Sequence, residues 1–129
     1  MNLDWIDITL TQSDLFQMTQ PITLLENDNM GNFYEVEKII LKLKYNSLPY
    51  TYAGNIFFKS GNERISTFQG DSISSSKNVV TISNTLLCKD LCSPLLEPNN
   101  NITMELDSIP PTEGDGTIEI RIYYILHEF

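Results

Sequence analysis

The sequence has few basic residues, one histidine, two cysteines and no long hydrophobic run, and each shortage excludes a class of function. Seventeen acidic residues against eight basic ones give a net charge of −9, which repels phosphate backbones. We therefore expect no nucleic-acid partner. No apolar segment approaches the roughly 20 residues that cross a bilayer, and the negative charge opposes binding to an anionic membrane surface. We expect no membrane partner either.

Residues that carry catalytic or metal chemistry are also scarce. His127 lies next to Glu128 near the end of the chain, which predicts an exposed tail residue. With Cys88 and Cys92 it supplies too few ligands for a zinc site. We interpret the cysteines as free thiols or packing residues, and a disulfide between them stays open if their segment is not a regular strand. The acidic stretch 113–116 lacks the ligand spacing of an EF-hand and is interpreted as a turn. The sequence thus predicts a protein that is not an enzyme and has no metal or cofactor.

The sequence does contain the alternation of apolar and polar residues that is typical of half-buried strands. In the clearest case, Ile118, Ile120 and Ile122 alternate with Glu119 and Arg121 along the last strand, 117–126. The other predicted strands are 5–10, 22–26, 34–45, 56–59, 64–68, 79–82 and 102–106.

Helical segments are expected to be few and short. Thr11 favours a helix start, and Pro21 limits that helix to about two turns. Leu87 and Leu91 lie four apart, which predicts one or two further turns. The serine-rich stretch 71–76 is interpreted as a mobile surface loop.

Eight short strands separated by turn signals indicate a single all-β domain over 1–129. We expect an antiparallel β-sandwich of jelly-roll-like architecture, with about eight strands and one or two short helices. In the strand 34–45, Val36 is out of phase with the other apolar residues, and this predicts a bulge near Glu37.

Aromatic residues mark one loop as a candidate contact site. Tyr50 and Tyr52 lie between Pro49 and Gly54, where no strand or helix period is visible, and Tyr45 directly precedes this loop. If exposed, the three tyrosines form a contact patch for another protein or for sugar rings. The alternative is that one or more of them covers the end of the sandwich.

Three stretches of the chain share an informative order. They are Ile8-Thr9-Leu10-Thr11, the strand 39–45 with the following Pro49-Tyr50-Thr51-Tyr52-Ala53-Gly54, and Thr112-Glu113-Gly114-Asp115-Gly116-Thr117 before the tyrosine-bearing last strand. In this order they resemble a group of small phage virion proteins with a jelly-roll-like domain. The chain departs from that group at Asn27 to Asn32, where the group has a Pro-Gly-rich turn, and in the cysteine segment and the 70–78 loop.

The resemblance implies a non-enzymatic structural component of a bacteriophage particle, such as a capsid auxiliary or decoration protein or a fibre- or tail-associated subunit. It implies other virion proteins of the capsid or tail as partners, and a homo-oligomer, by analogy a trimer. The implied location is the virion, after assembly in the host cytoplasm. The alternative is a carbohydrate-binding module on a virion or cell surface, with Tyr45, Tyr50 and Tyr52 as stacking platforms.

Overall fold

The computed structural model describes residues 3–84 and 96–128. Along these residues, eight strands and two short helices follow one another. Their bounds are β1 Asp4–Leu10, α1 Gln12–Phe16, β2 Ile22–Leu25, β3 Asn32–Lys44, β4 Asn55–Ser60, β5 Glu63–Gln69, α2 Asp71–Ser74, β6 Val79–Asn84, β7 Ile102–Leu106 and β8 Thr117–Glu128. The helical turns predicted around Leu87 and Leu91, and both cysteines, lie outside the described residues.

The strands form two antiparallel four-stranded sheets, one in the order β1-β8-β3-β6 and the other in the order β2-β7-β4-β5. Every connection between consecutive strands changes sheet except the β4–β5 hairpin, which is the connectivity of a jelly roll. The predicted all-β fold, an antiparallel sandwich of eight strands with short helices, is confirmed.

The centre of the first sheet is the pair of its two longest strands, β3 and β8. Val36 pairs with Tyr124 and Lys38 with Tyr123, so that Glu37 is left without a cross-strand partner. The extra residue moves the apolar positions of β3 from even to odd numbers without turning them away from the core. The predicted bulge is confirmed.

The core lies between the two sheets and is almost entirely aliphatic and aromatic. Ile39 and Leu41 of β3 are fully buried, as is Ile120 of β8, and they lie in the same core cluster as Phe58 of β4. Burying such a side chain stabilises the fold by about 1.5–3 kcal/mol. The alternation seen in the sequence therefore marks the inward face of each strand.

The serine-rich stretch 71–76 is not the surface loop that we predicted. Residues Asp71–Ser74 form α2, in which Ser72 and Ile73 are buried. The amides of Ile73 and Ser74 donate to the carbonyl oxygen of Gly70 at 3.1 Å. Ile73 is the one large apolar residue of the stretch, and its burial holds the segment against the core.

The prediction of an exposed tail at His127 is also wrong. β8 extends to Glu128, and its end pairs with the beginning of β3. The imidazole stacks on the ring of Phe33 with centroids 4.8 Å apart, and its Nε2 lies 2.7 Å from a carboxylate oxygen of Glu35. His127 is therefore part of the sheet surface.

Because consecutive strands run in opposite directions, four connections meet at one end of the sandwich. This four-loop end consists of residues 11–21, 45–54, 70–78 and 107–116. The β2–β3 turn, 26–31, lies at the opposite end, beside the paired ends of β3 and β8. Within the described ranges, neither helix has the length or the apolar character required to cross a bilayer.

Candidate functional site

Two of the three tyrosines in the loop between β3 and β4 are buried. Tyr50 is 2% exposed and Tyr52 is 8% exposed. The Tyr50 hydroxyl donates to the carbonyl oxygen of Gly116, and its ring meets that of Phe16 edge to face, with centroids 6.3 Å apart. Tyr50 thus covers the end of the sandwich, as the alternative interpretation of this loop had it.

Tyr52 is held by a second set of contacts at the same end. Its hydroxyl donates to the carbonyl oxygen of Asn55 at 2.5 Å and accepts from the amide of Asp107 at 3.1 Å. Burial, reinforced by the nearby Asp107 carboxylate, raises the pKa of Tyr52 to about 12. The hydroxyl therefore stays protonated at physiological pH and acts as a structural hydrogen-bond group. Only Tyr45 of the three predicted contact residues is partly exposed, and its hydroxyl donates to the carbonyl oxygen of Ser47 at 2.8 Å.

The acidic stretch before β8 fixes the same loop through Asp115. Its carboxylate accepts hydrogen bonds from the amides of Ser47 at 3.0 Å and Leu48 at 2.9 Å, and from the Asn46 side chain at 3.1 Å. The Ser47 hydroxyl donates to it as well. These donors, the Ser47 hydroxyl foremost, lower the pKa of Asp115 to about 2. The stretch 113–116 lies in the connection between β7 and β8, and its Asp115 carboxylate binds the neighbouring loop.

Metal-ligating side chains are not clustered in the described residues of the four-loop end. Across residues 3–84 and 96–128, no three His, Cys, Asp or Glu side chains are grouped so that they could hold a metal ion. The buried hydroxyls of Tyr50 and Tyr52 are both bonded to backbone oxygens. Both hydroxyls therefore help to hold the loops of this end in place.

A different surface combines exposed aromatic, apolar and charged side chains. It is the solvent side of the β1-β8-β3-β6 sheet where all four strands lie side by side, and we call it the outer face. Its members alternate with the core residues of the same strands. They are Trp5, Asp7 and Thr9 of β1; Thr117, Glu119, Arg121 and Tyr123 of β8; Lys38, Ile40, Lys42 and Lys44 of β3; and Val80, Ile82 and Asn84 of β6.

One side of the outer face is an aromatic and charged cluster centred on Arg121. The guanidinium donates to both carboxylate oxygens of Asp7, at 2.7 and 2.9 Å, and this contact lowers the pKa of Asp7 and raises that of Arg121. Its central carbon lies 5.6 Å from the ring of Trp5 and 6.0 Å from that of Tyr123. Trp5 is nonetheless 56% exposed, so a large part of its ring is open to a partner.

The other side of the outer face is apolar. Val80 and Ile82 of the edge strand β6 are 59% and 56% exposed, and Ile82 lies opposite Ile40 of β3. Between the two sides runs a shallow groove of about 180 Å³, lined among others by Ile40, Lys42 and Arg121. An aromatic cluster, a groove and an apolar edge on one sheet are the composition expected of a protein contact surface.

Charge also sets the outer face apart from the rest of the chain. It carries four of the eight basic residues of the sequence and two acidic ones, a net charge of +2. Because the whole chain has a charge of −9, everything else carries −11. The outer face is therefore a basic surface on an acidic protein.

The sequence held a signal for this surface, although the strand patterns alone did not reveal it. In the sequence, the outward positions of β3 are visible as alternating lysines, and those of β8 as Glu119 and Arg121. The pattern does not show which strands, far apart in sequence, are neighbours in the sheet. A jelly-roll order places the first, last, third and sixth strands in one sheet, and that order brings Trp5 beside Tyr123.

No family model and no curated protein matches the sequence. Among solved structures, the chain is similar to a chain of the cyanophage Pam1 capsid asymmetric unit, with a TM-score of 0.56 and 11% identity over 95% of this chain and 84% of that one. A chain from Bacillus endospore appendages, which form disulfide-linked pili, gives a TM-score of 0.39 and 13% identity over 95% and 86% of the two chains. At these identities the similarity to the capsid chain concerns the fold.

Proposed function

We propose that the chain is a non-enzymatic structural component of a bacteriophage particle that acts through protein–protein contacts. Within this class the candidate roles are a capsid auxiliary or decoration protein and a fibre- or tail-associated subunit. The partners are other virion proteins of the capsid or tail and further copies of the chain, by analogy in a trimer. The location is the virion, after assembly in the host cytoplasm.

The observation that carries the proposal is the jelly-roll fold of this chain, which over 95% of its length is similar to a chain of a cyanophage capsid unit. Jelly rolls recur in viral capsids, but a fold hosts many functions. The fold alone therefore does not carry the proposal, and a second argument comes from the surface. The outer face has exposed Trp5, Val80 and Ile82 side chains, which a partner protein would bury.

The direct test is the protein content of purified particles. Phage that encode the chain should be banded by density and quantified by mass spectrometry, with an abundant host protein of similar size as the control for carry-over. We expect the chain to stay with the particles at a constant ratio to the major capsid protein through repeated banding. Loss of the chain together with the host protein would contradict the proposal.

Carbohydrate binding remains the second candidate, since jelly rolls also occur in lectin domains. Of its predicted stacking platforms, Tyr50 and Tyr52 are buried and Tyr45 is partly exposed. The exposed ring of Trp5 beside Tyr123 offers a different platform. Binding on a glycan array that Trp5→Ala abolishes and Tyr45→Ala leaves intact would support carbohydrate binding at the outer face, whereas an array without binding would contradict it.

A further inference from the structure

The basic outer face has a counterpart of opposite charge on the same molecule. The β2–β3 turn and the paired ends of β3 and β8 carry five carboxylates, and we call this region the acidic end. Its members are Glu26, Asp28, Glu35, Glu37 and Glu128, around the tip residue Met30.

Most of the acidic end is accessible to a partner. Met30 is 77% exposed, and Glu26, Asp28, Glu37 and Glu128 are exposed as well. Asp28, Met30 and Glu128 line one open depression at the tip. The region therefore combines negative charge with an exposed apolar side chain, as the outer face combines positive charge with Trp5, Val80 and Ile82.

We propose that the outer face of one copy binds the acidic end of a second copy. The two surfaces belong to the same sheet, because β3 and β8 run from one into the other, so the acidic end cannot fold back onto its own outer face. Contact between two outer faces would oppose +2 with +2, and contact between two acidic ends would oppose carboxylates. Like-charge juxtaposition is costly at an interface, so the complementary contact joins different surfaces.

A contact between different surfaces of identical chains is heterologous, and it leaves one free outer face and one free acidic end on every pair. Such contacts continue until a ring closes or a filament grows. The inference deepens the structural function proposed above, because it names the surfaces by which copies would join. A ring closed by such contacts would give the cyclic trimer proposed above, without a symmetric two-fold patch.

The test is the self-association of the purified full chain, measured by sedimentation velocity at low and high salt. One variant reverses the charge of the outer face, Lys38→Glu with Lys42→Glu, and another removes most of the negative charge of the acidic end, Glu26→Lys with Glu128→Lys. All four side chains are exposed. Matched controls with the same charge changes elsewhere are Arg64→Glu with Lys77→Glu and Asp71→Lys with Glu113→Lys. Circular dichroism and thermal unfolding check that each variant is folded.

We expect the wild-type chain to associate, and raising the salt from about 0.05 to 0.5 M to weaken that association because the Debye length shortens. Each of the two variants should weaken it on the order of tenfold or more, about 1.4 kcal/mol or above, while the controls remain close to wild type. An equal mixture of the two variants should associate again, since each keeps the surface that the other has lost.

Two outcomes would overturn the proposal. One is a wild-type chain that stays monomeric at low salt up to about 100 μM. Its dissociation constant would then lie above that concentration, which is weaker than the binding of a specific interface. The other is an acidic-end variant that associates as the wild type does, which would assign the contact to outer faces alone or to another surface. Neither result bears on whether the chain is found in particles, so failure of this interface and failure of the structural function are distinguishable.

Discussion

The aromatic side chains at the four-loop end and those on the outer face differ in what they contact. At the four-loop end, Tyr50 and Tyr52 are buried and their hydroxyls bond to backbone oxygens. On the outer face, Trp5 is more than half exposed, and only part of its ring is covered by Tyr123 and Arg121. The tyrosines of the first region join neighbouring loops, whereas the second region leaves surface open to another molecule.

The difference shows that an aromatic side chain can be buried even when its residue lies in a loop. A jelly roll must close the end of its core where four connections meet, and a tyrosine suits that position because its ring is apolar while its hydroxyl can satisfy a backbone carbonyl. An aromatic residue at an outward position of a strand neither closes the core nor has to satisfy a buried carbonyl. Mutations should therefore affect stability at the four-loop end and association at the outer face.

The largest effect is expected at Tyr50. Replacing it with alanine removes a buried ring and should lower the free energy of unfolding by about 3–5 kcal/mol, measured by urea denaturation. Tyr50→Phe keeps the ring and loses the bond to Gly116, so it should cost about 1–3 kcal/mol because a buried carbonyl is left unpaired. Tyr45→Ala, at a partly exposed ring in the same segment, is the control. Equal losses for Tyr45→Ala and Tyr50→Ala would contradict the distinction between them.

The strands and the bulge could be predicted from the sequence because their signal is local. The phase change at Val36 is visible within a few residues, and it correctly located the bulge at Glu37. Whether Tyr50 and Tyr52 are exposed or cover the end of the sandwich could not be decided from the sequence, because their partners Gly116 and Asp107 are 66 and 55 residues away. Local patterns do not contain contacts of that range.

The outer face is predictable from the sequence only in part. Its side chains follow from strand alternation, which the sequence displays, but its existence as one surface depends on the order of strands in the sheet. Trp5 and Tyr123 are neighbours only because the first and last strands pair. A site built across strands is therefore predictable only once the topology is known.

A smaller effect on stability is expected at Gly114, which adopts a φ of +129°. A Cβ at this position would overlap the ring of Tyr50, and a side chain strains a backbone with positive φ. Gly114→Ala should thus lower the free energy of unfolding by about 1–3 kcal/mol. Gly31 also has a positive φ, but a Cβ there meets nothing within 4 Å. Gly31→Ala therefore isolates the strain, and a loss as large as that of Gly114→Ala would contradict a role for the Tyr50 contact.

The acid sensitivity of the two regions should differ through Asp115 and Asp7. The folded-state pKa of Asp115, about 2, lies below its ordinary value of 3.8. Its ionised form therefore stabilises the fold fully above pH 3.8, and this contribution is lost as the pH falls towards 2. We expect Asp115→Asn to lower the thermal midpoint at pH 6 and to flatten its decline between pH 5 and 2. Asp7 is the matched carboxylate on the outer face, where the hydrogen bond from Arg121 lowers its pKa.

Both Asp7 and Asp115 lie at the surface, but Asp115 joins two loops through four donors whereas Asp7 bonds one side chain in the adjacent strand. Asp7→Asn should flatten the acid decline less than Asp115→Asn does. The reverse order would mean that the pair between Asp7 and Arg121, and not the loop contact, dominates the acid response.

The smallest effect on stability is expected for Trp5→Ala. Its exposed ring contributes a cation–π contact of about 0.5–1 kcal/mol with Arg121, and little else of the fold depends on it, so the free energy of unfolding should change by no more than about 1 kcal/mol. Association should respond far more, because a large aromatic residue is the type of side chain that dominates contact energy when a partner covers it. Trp5→Phe should restore part of the association. A variant that unfolds as readily as Tyr50→Ala, yet associates as the wild type does, would make Trp5 another structural aromatic and erase the difference between the two regions.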